Sequence, residues 1–429
     1  MADISWQISI GTVAAPTDFT DRCQGLQVVQ QARFMRHRSG RAQITLENYD
    51  GALTPGGGGT YANTDWFEQG VFISAGTADV FHGIVDDFIV NDNGVYSTVT
   101  VFASDWFSVF GRSTVNYDVN VGTSVWYENL QAAIWEFTSG NVASSPQLPA
   151  LGGAYGITPY DPFNLPASLD PDLATSTLEW GNDYTQVEAG RPLADVLRPG
   201  YLAAVPSAMW ATTIDADGGN AVYHMGLIGD QLTRTDSGAR NYQFRETPTS
   251  GQLPINLLTS GFNNDNMVNH IRATIQNTSG GSTSTATINR ADQGQIDKYG
   301  KRSLTNDAAG FEYVAFNQPM SDTLDNLIAR MSEITYEPEQ LTVKASSTPT
   351  AGVFDDLLDV TDGFWQVCDI DYTPTGAAST TTASVIVGRT INATPRDTTI
   401  VLDLLPAANY QSFTLDSAVL GVLDQNRIG

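Results

Sequence analysis

Val80-Phe-His-Gly-Ile-Val-Asp-Asp-Phe-Ile-Val90, Asn91-Asp-Asn-Gly94 and Val95-Tyr-Ser-Thr-Val-Thr-Val-Phe102 form two β-rich runs around an Asn-Gly step. Asn-Gly tolerates the left-handed backbone of a two-residue hairpin turn, so this stretch predicts an antiparallel hairpin. Working outward, Trp6, Ile8 and Ile10 alternate with polar neighbours, as on a half-buried strand. Arg41-Ala-Gln-Ile-Thr-Leu46 alternates in the same way and runs into the turn signal Glu47-Asn-Tyr-Asp-Gly51. The glycines from Gly56 to Gly59 predict a loop, and Asp105-Trp-Phe-Ser-Val-Phe-Gly-Arg112 closes a first unit over 1–112.

The character changes over 113–250, which reads as an α+β insertion. Val125-Trp-Tyr-Glu-Asn-Leu-Gln-Ala-Ala-Ile-Trp-Glu-Phe137 has helical apolar spacing, and Arg191-Pro-Leu-Ala-Asp-Val-Leu-Arg198 predicts a second short helix with Pro near its start. Residues 143–171 read as an irregular loop. Ser207-Ala-Met-Trp-Ala-Thr-Thr-Ile214 and Ala221-Val-Tyr-His-Met-Gly226 predict a hairpin around Asp215-Ala-Asp-Gly-Gly-Asn220.

A strand-rich segment follows over 251–345. Met267-Val-Asn-His-Ile-Arg-Ala-Thr-Ile275 predicts a strand and Ser279-Gly-Gly-Ser-Thr-Ser a flexible tip. Asp322-Thr-Leu-Asp-Asn-Leu-Ile-Ala-Arg-Met331 predicts an amphipathic helix with Leu324, Leu327, Ile328 and Met331 on one face. The runs Leu341-Thr-Val343, Trp365-Gln-Val-Cys-Asp-Ile370, Ala383-Ser-Val-Ile-Val387 and Thr399-Ile-Val-Leu-Asp-Leu404 predict further strands, the last three in a unit over 346–429. An internal echo sets Phe81-His-Gly83-Ile-Val and Val99-Thr-Val101 against Ile386-Val-Gly388-Arg-Thr and Ile400-Val401. The fold class is mainly β with minor α.

The chain has 429 residues, room for two to four domains. Its apolar fraction of 41% excludes disorder over most of the length. The 47 acidic against 21 basic residues leave a formal charge of −26, which opposes non-specific binding to DNA or an anionic bilayer. Two readings fit: an ordinary acidic protein, or a surface that faces nucleic acid without holding it. Cys23 and Cys368 carry no disulfide framework, and two buried free thiols are expected in a reducing compartment. No signal-peptide pattern opens the sequence, and no apolar run reaches the length of a membrane span.

The sequence yields no catalytic, cofactor-binding or metal-binding residues. His37, His82, His224 and His270 are isolated from one another, so no metal pair is spaced for zinc. Asp215 to Asn220 resembles a calcium loop, yet position twelve is Gly226 rather than glutamate, and a polar turn is expected. Gly300-Lys301-Arg302-Ser303 resembles the end of a phosphate loop, but Gln295 stands where its first glycine belongs. Glu179, Asp183 and Glu188 beside Trp180 and Tyr184 have the composition of a sugar cleft; a solvated acidic loop is the competing reading.

Several runs together resemble one family. Ser39-Gly-Arg-Ala-Gln-Ile-Thr-Leu-Glu-Asn-Tyr-Asp-Gly-Ala-Leu-Thr-Pro55, Val80-Phe-His-Gly-Ile-Val85 and Ser97-Thr-Val-Thr-Val-Phe-Ala-Ser-Asp105 are similar to stretches of minor tail proteins from phages of actinobacteria. So are Ile296-Asp-Lys-Tyr-Gly-Lys-Arg302, Val385-Ile-Val-Gly-Arg-Thr-Ile391 with Thr399-Ile-Val-Leu-Asp-Leu-Leu-Pro406, and Leu415-Asp-Ser with Gly421-Val-Leu-Asp-Gln-Asn-Arg427. Ile296 and Asp297 depart from the usual wording, and Phe413 stands where Trp is common. The runs are colinear over nearly the whole chain.

The resemblance implies a baseplate-hub or tail-tip-hub protein: several antiparallel, tube-like β-barrel domains, one over 1–112 and a second in the 346–429 region, plus a small helix-containing domain. It implies a non-enzymatic, cofactor-free structural role in the virion tail tip, after assembly in the bacterial cytoplasm. Its partners would be two further copies in a homotrimeric ring, a distal tail or tail-tube protein, the C-terminus of the tape-measure protein, and other minor tail or fibre proteins. DNA would pass through without specific binding, and nothing would insert into a membrane. The alternatives are a distal tail or receptor-binding module that contacts host surface glycan through exposed aromatic residues such as Trp66, Trp126 or Trp180, and a cell-wall hydrolase.

Overall fold

The computed structural model describes residues 4–105, 108, 119–120, 186–187, 208–214, 221–227, 241–306, 328, 332 and 336–406, apart from 13–14, 34–35, 38, 68, 93, 95, 263–266, 280–281, 350, 361–362 and 364–365. These residues are mostly antiparallel β with two α-helices. The first half contains β1 (Trp6–Thr12), β2 (Ala15–Asp18), β3 (Cys23–Arg33), β4 (Arg36–His37), β5 (Arg41–Glu47), β6 (Gly70–Ala75), β7 (Ala78–Asp92) and β8 (Ser97–Asp105). Between the halves, β9 (Val119–Asn120) pairs with β10 (Gln186–Val187), and β11 (Ala208–Ile214) with β12 (Ala221–Leu227).

The second half opens with β13 (Asn241–Arg245), β14 (Leu253–Pro254) and β15 (Leu257–Phe262). A small three-stranded sheet follows, made of β16 (His270–Ser279), β17 (Ser282–Ala291) and β18 (Ser303–Asn306), with α1 (Gln293–Tyr299) between the last two. Then come β19 (Tyr336–Lys344), α2 (Ala351–Leu358), β20 (Val367–Tyr372), β21 (Thr380–Ala393) and β22 (Thr398–Pro406).

One sheet of 15 strands runs through both halves. Its main path is β14-β13-β20-β21-β3-β5-β8-β7-β6-β1-β2; β22 pairs with β21, β19 with β22, β15 with β19, and β4 with β3. Alternation places its core: Ala42, Ile44 and Leu46 of β5 and Ile400, Leu402 and Leu404 of β22 are buried while their neighbours are not. These residues belong to one cluster that also holds Ile8, Val101, Phe354 and Ile391.

The hairpin expected at 80–102 forms, with Gly94 at φ +81°. However, Asn91 and Asp92 belong to the ladder and the last pair is Asp92–Ser97, so the turn falls two residues later than expected and is longer than two residues. The strands expected around 6–10, 41–46, 207–226, 341–343, 365–370, 383–387 and 399–404 are also present. Two details differ. The strand expected from Met267 begins at His270, and the supposed flexible tip is mostly ladder, since Ser279 pairs with Ser282 and Asn277 with Ser284.

Both α-helices fall where no helix was expected. α1 has no buried residue, so it carries no apolar stripe to read, although Asp292 caps it by accepting from Gln295 N and Gly300 ends it at φ +77°. The helices expected at 125–137 and 191–198, the loop at 143–171 and the turn at 215–220 lie outside the described residues. Of the helix expected at 322–331 only Ile328 is described; it is buried, helical and accepts from Ser332 N at 2.9 Å. Among the described residues no helix is long and apolar enough to cross a membrane.

Candidate functional site: a strand seam between two matching halves

The two halves share one pairing plan. In the first, β1 pairs with β2 and β6, β6 with β7, β7 with β8, β8 with β5, and β5 with β3. In the second, β13 pairs with β14 and β20, β20 with β21, β21 with β22, β22 with β19, and β19 with β15. The difference is direction: β1 is antiparallel to its neighbours and β13 parallel to both.

The match extends to register. β7 shifts register against β8 between Val85 and Asp87, and β21 against β22 between Ile386 and Gly388. Val85 N donates to Gln69 O at 2.8 Å, just before β6, and Ile386 N to Gln366 O at 3.0 Å, just before β20. This alignment sets Val99 against Ile400, as the sequence echo did. The glycines of that echo are not equivalent: Gly388 aligns with Asp87, four residues beyond Gly83.

The halves meet at β3 and β21, which pair antiparallel from Leu26–Ala393 to Gln31–Gly388. β21 is long enough to pair with β20 through Thr380–Val385 and with β3 through its remainder, while β22 occupies its other edge. Gln27 Nε2 donates to Asn392 Oδ1 across this seam at 2.8 Å. Nearby, Trp6 Nε1 donates to Thr398 Oγ1 at 3.2 Å.

Arg389 locks the seam from within. It is fully buried, and its guanidinium donates to Gln30 Oε1 on β3 (2.6 Å), to Leu357 O (2.9 Å) and Asp359 O (2.6 Å) at the end of α2, and to Val80 O on β7 (3.4 Å). Burial pulls its pKa down to about 10, against a counter-pull from Asp359 and Tyr242, so it stays charged at neutral pH. Gly363 is required beside it, because a Cβ there would lie 2.1 Å from Leu357 O and 2.5 Å from Arg389 Nη1. Asp79 N donates to Asp359 Oδ2 at 3.0 Å and Val360 N to Asp79 O at 2.7 Å, which ties the α2 segment to β7. The sequence reading passed over Arg389, whose cue was a single arginine inside an apolar alternating strand.

Several described runs of the family resemblance are architectural, while Phe413 and residues 415–417 and 421–427 lie outside the described residues. Asn48, fully buried, accepts from Leu53 N at 2.8 Å and donates to Thr54 Oγ1 at 3.0 Å and Ser97 Oγ at 3.1 Å, shaping the turn before Pro55. Asp50 pairs with Arg22 at 2.6 Å; that guanidinium and the Ala52 amide hold its carboxyl down to about 2. Asp105, buried at the end of β8, accepts from Ser39 Oγ and Gly40 N, both at 2.6 Å. Asn269, also buried, donates to Gly300 O and accepts from Arg302 N, both at 2.7 Å, so the run at 296–302 clasps β16.

The chemical candidates stay apart. His82 is buried and edge-on to Phe72, with Asp79 3.6 Å from its Nε2. His270 Nδ1 lies 3.2 Å from Ser303 Oγ, and desolvation with nearby Lys301 and Arg272 lowers its pKa. His37 lies in β4 and His224 in β12. Among the described residues no three His, Cys, Asp or Glu side chains could hold a metal ion. Gly300 caps a helix rather than ending a phosphate loop. Both cysteines are free thiols, with Cys23 half-buried and Cys368 buried; desolvation raises the Cys23 pKa to about 11 and raises that of Cys368 further.

Trp66 is not a surface platform. It is 6% exposed, stacks on Phe88 at 5.0 Å, and sits within 5.5 Å of Phe19 and 6.1 Å of Tyr61 between ring centroids. Trp126, and the group Glu179, Trp180, Asp183, Tyr184 and Glu188, lie outside the described residues.

Two solved structures share this fold over almost their whole length. The tail protein from Neisseria meningitidis MC58 superposes with a TM-score of 0.52 at 10% identity, covering 95% of this chain and 98% of that one. The 43 kDa tail protein of prophage MuSo2 from Shewanella oneidensis gives 0.53 at 11% identity, covering 94% and 99%. No protein-family model and no curated protein matches the sequence.

Proposed function

We propose that this chain is a structural subunit of a phage tail tip, a hub-type minor tail protein of the kind carried by phages of actinobacteria. The observation that carries this reading is the doubled pairing plan joined strand edge to strand edge. A chain built from two matching halves gives a six-fold-like ring when three copies close around an axis. The shared fold with two tail proteins supports the same assignment.

In this reading each half is a tube-type barrel. β2 pairs with β1 while β3, reached through one short turn, pairs with β5; β14 and β15 span the same gap in the second half. The first barrel lies within 1–112, and the second takes β13–β15 and β19 in addition to the strands of 346–429. The ring joins the tail tube or distal tail protein to the tip and other minor tail or fibre proteins, and surrounds the C-terminus of the tape-measure protein. Much of the −26 charge lines the bore, so the DNA backbone is repelled and slides. The role is one of shape, with no chemistry to perform.

Imaging the intact particle tests this. Three copies around the tail axis, with an acidic bore, are expected. A lone off-axis copy, a neutral or basic bore, or cell-wall hydrolysis by the purified chain would each count against it.

A further inference from the structure

The seam has a vacant counterpart. It joins the third strand of the first half, β3, to the long sixth strand of the second half, β21. The reciprocal pair is the third strand of the second half, β15, and the sixth strand of the first, β7. β7 pairs with β6 only through Ala78–Ile84, and among the described residues no strand pairs with 87–92 on that edge, just where β21 receives β3 through Gly388–Ala393. Among the described residues β15 likewise pairs with β19 alone. We propose that β15 of one copy adds antiparallel to residues 87–92 of β7 on a second copy of this chain. This rests on the ring reading and names the strands that close it.

The alignment fixes the register at its firm end. Leu26 stands against Ile44 as Leu258 does against Leu341, so Leu258 corresponds to Leu26 and Thr259 to Gln27. On the other strand Asn91 corresponds to Asn392 and Asp92 to Ala393. The seam pairs Gln27–Asn392 and Leu26–Ala393 therefore become Thr259–Asn91 and Leu258–Asp92 between copies. Asn91 and Thr259 are both exposed.

Two further observations favour this occupant. Each vacant edge carries a large exposed apolar side chain, Ile89 at 41% and Leu257 at 61%. β7 brings Asp87 and Asp92 to its edge, whereas Leu257–Phe262 is uncharged. Two β7 edges face to face would oppose acid to acid, which strands avoid; β7 against β15 does not. The contact is then head-to-tail, the kind that closes rings rather than two-fold dimers. The β11–β12 hairpin lies near β7 and is the rival occupant within the chain.

Full-length Asn91→Cys and Thr259→Cys chains, purified separately, are mixed and oxidised. Gln27→Cys with Asn392→Cys in one chain reports the known seam as an intrachain bond. The expected result is a disulfide-linked dimer in the mixture, none from either variant alone, and a ladder ending at three from the double Asn91→Cys/Thr259→Cys chain. Homodimers from a single variant would overturn the head-to-tail pairing. A multi-copy ring in sedimentation that never forms the Asn91–Thr259 link would overturn this pairing and leave the ring reading intact. A chain that stays monomeric at every concentration and is absent from tail particles would remove both.

Discussion

Arg389 on β21 donates to Gln30 on β3 at 2.6 Å across 359 positions of sequence, and the same guanidinium reaches backbone carbonyls of both halves. A buried cation is tolerated only when its donors are satisfied, so the two halves are held in a single arrangement wherever Arg389 is paired.

Replacing Arg389 with Met leaves buried carbonyls at Leu357 and Asp359 without that donor. The loss should be about 3 kcal/mol in denaturant unfolding. Arg389→Lys should recover only part of it, because an ammonium cannot reproduce the planar fork. Gln30→Ala, which removes one half-exposed partner, should cost about 1 kcal/mol, and a double-mutant cycle with Arg389→Met should show strong coupling.

Asn48→Ala strips three bonds from a buried turn and should destabilise by about 2 kcal/mol. Thr54→Val removes one of them and should cost less. Comparing the midpoints of thermal unfolding for the two variants checks the order.

Asp50 is an acid test in the literal sense. Its folded pKa lies below the ordinary carboxylate value, so the Arg22 pair contributes fully above about pH 4 and is lost as pH falls through about 2. The carboxyl resonance of Asp50 should titrate near 2 in the native chain and return toward 3.8 in Arg22→Ala. Asp50 is exposed and Arg22 partly so, so the stability difference should be small and should shrink with salt.

Cys23 and Cys368 should resist alkylation at pH 8 in the folded chain and react readily once it is unfolded. The thiolate is the reactive species, and burial suppresses it at both positions. Rapid native labelling of Cys368 would contradict its placement in the core.

Of the large sheet, β1, β5, β7, β8 and β19–β22 were legible because apolar residues alternate along them, as in Ala42-Ile44-Leu46 and Ile400-Leu402-Leu404, whereas β2, β3, β4, β6 and β13–β15 were not expected. The 80–102 hairpin was legible from Asn-Gly. α1 was not, because a seven-residue helix that buries nothing is fixed by its caps, Asp292 and Gly300, and by Asn269 behind it. The seam escaped as well, since nothing local in Gln27 or Gln30 announces a partner near residue 390. Pairing across that distance is decided by which edges remain once each half has formed. The sequence echo did sense the duplication but matched glycine to glycine, Gly83 with Gly388, whereas the shared register shift sets Gly388 in the place of Asp87.

Translation order gives the seam a further consequence. At common elongation rates the ribosome needs roughly 20 to 70 s to travel from Gln30 to Arg389. Through that interval the outer flank of β3 has no mate of its own and is open to any compatible strand. A copy cut short before Thr380 would keep that flank permanently and, in the proposed ring, could graft onto a growing oligomer. Incomplete polypeptides would then be poisons of assembly rather than bystanders, and only finished ones would be self-sealed at the centre.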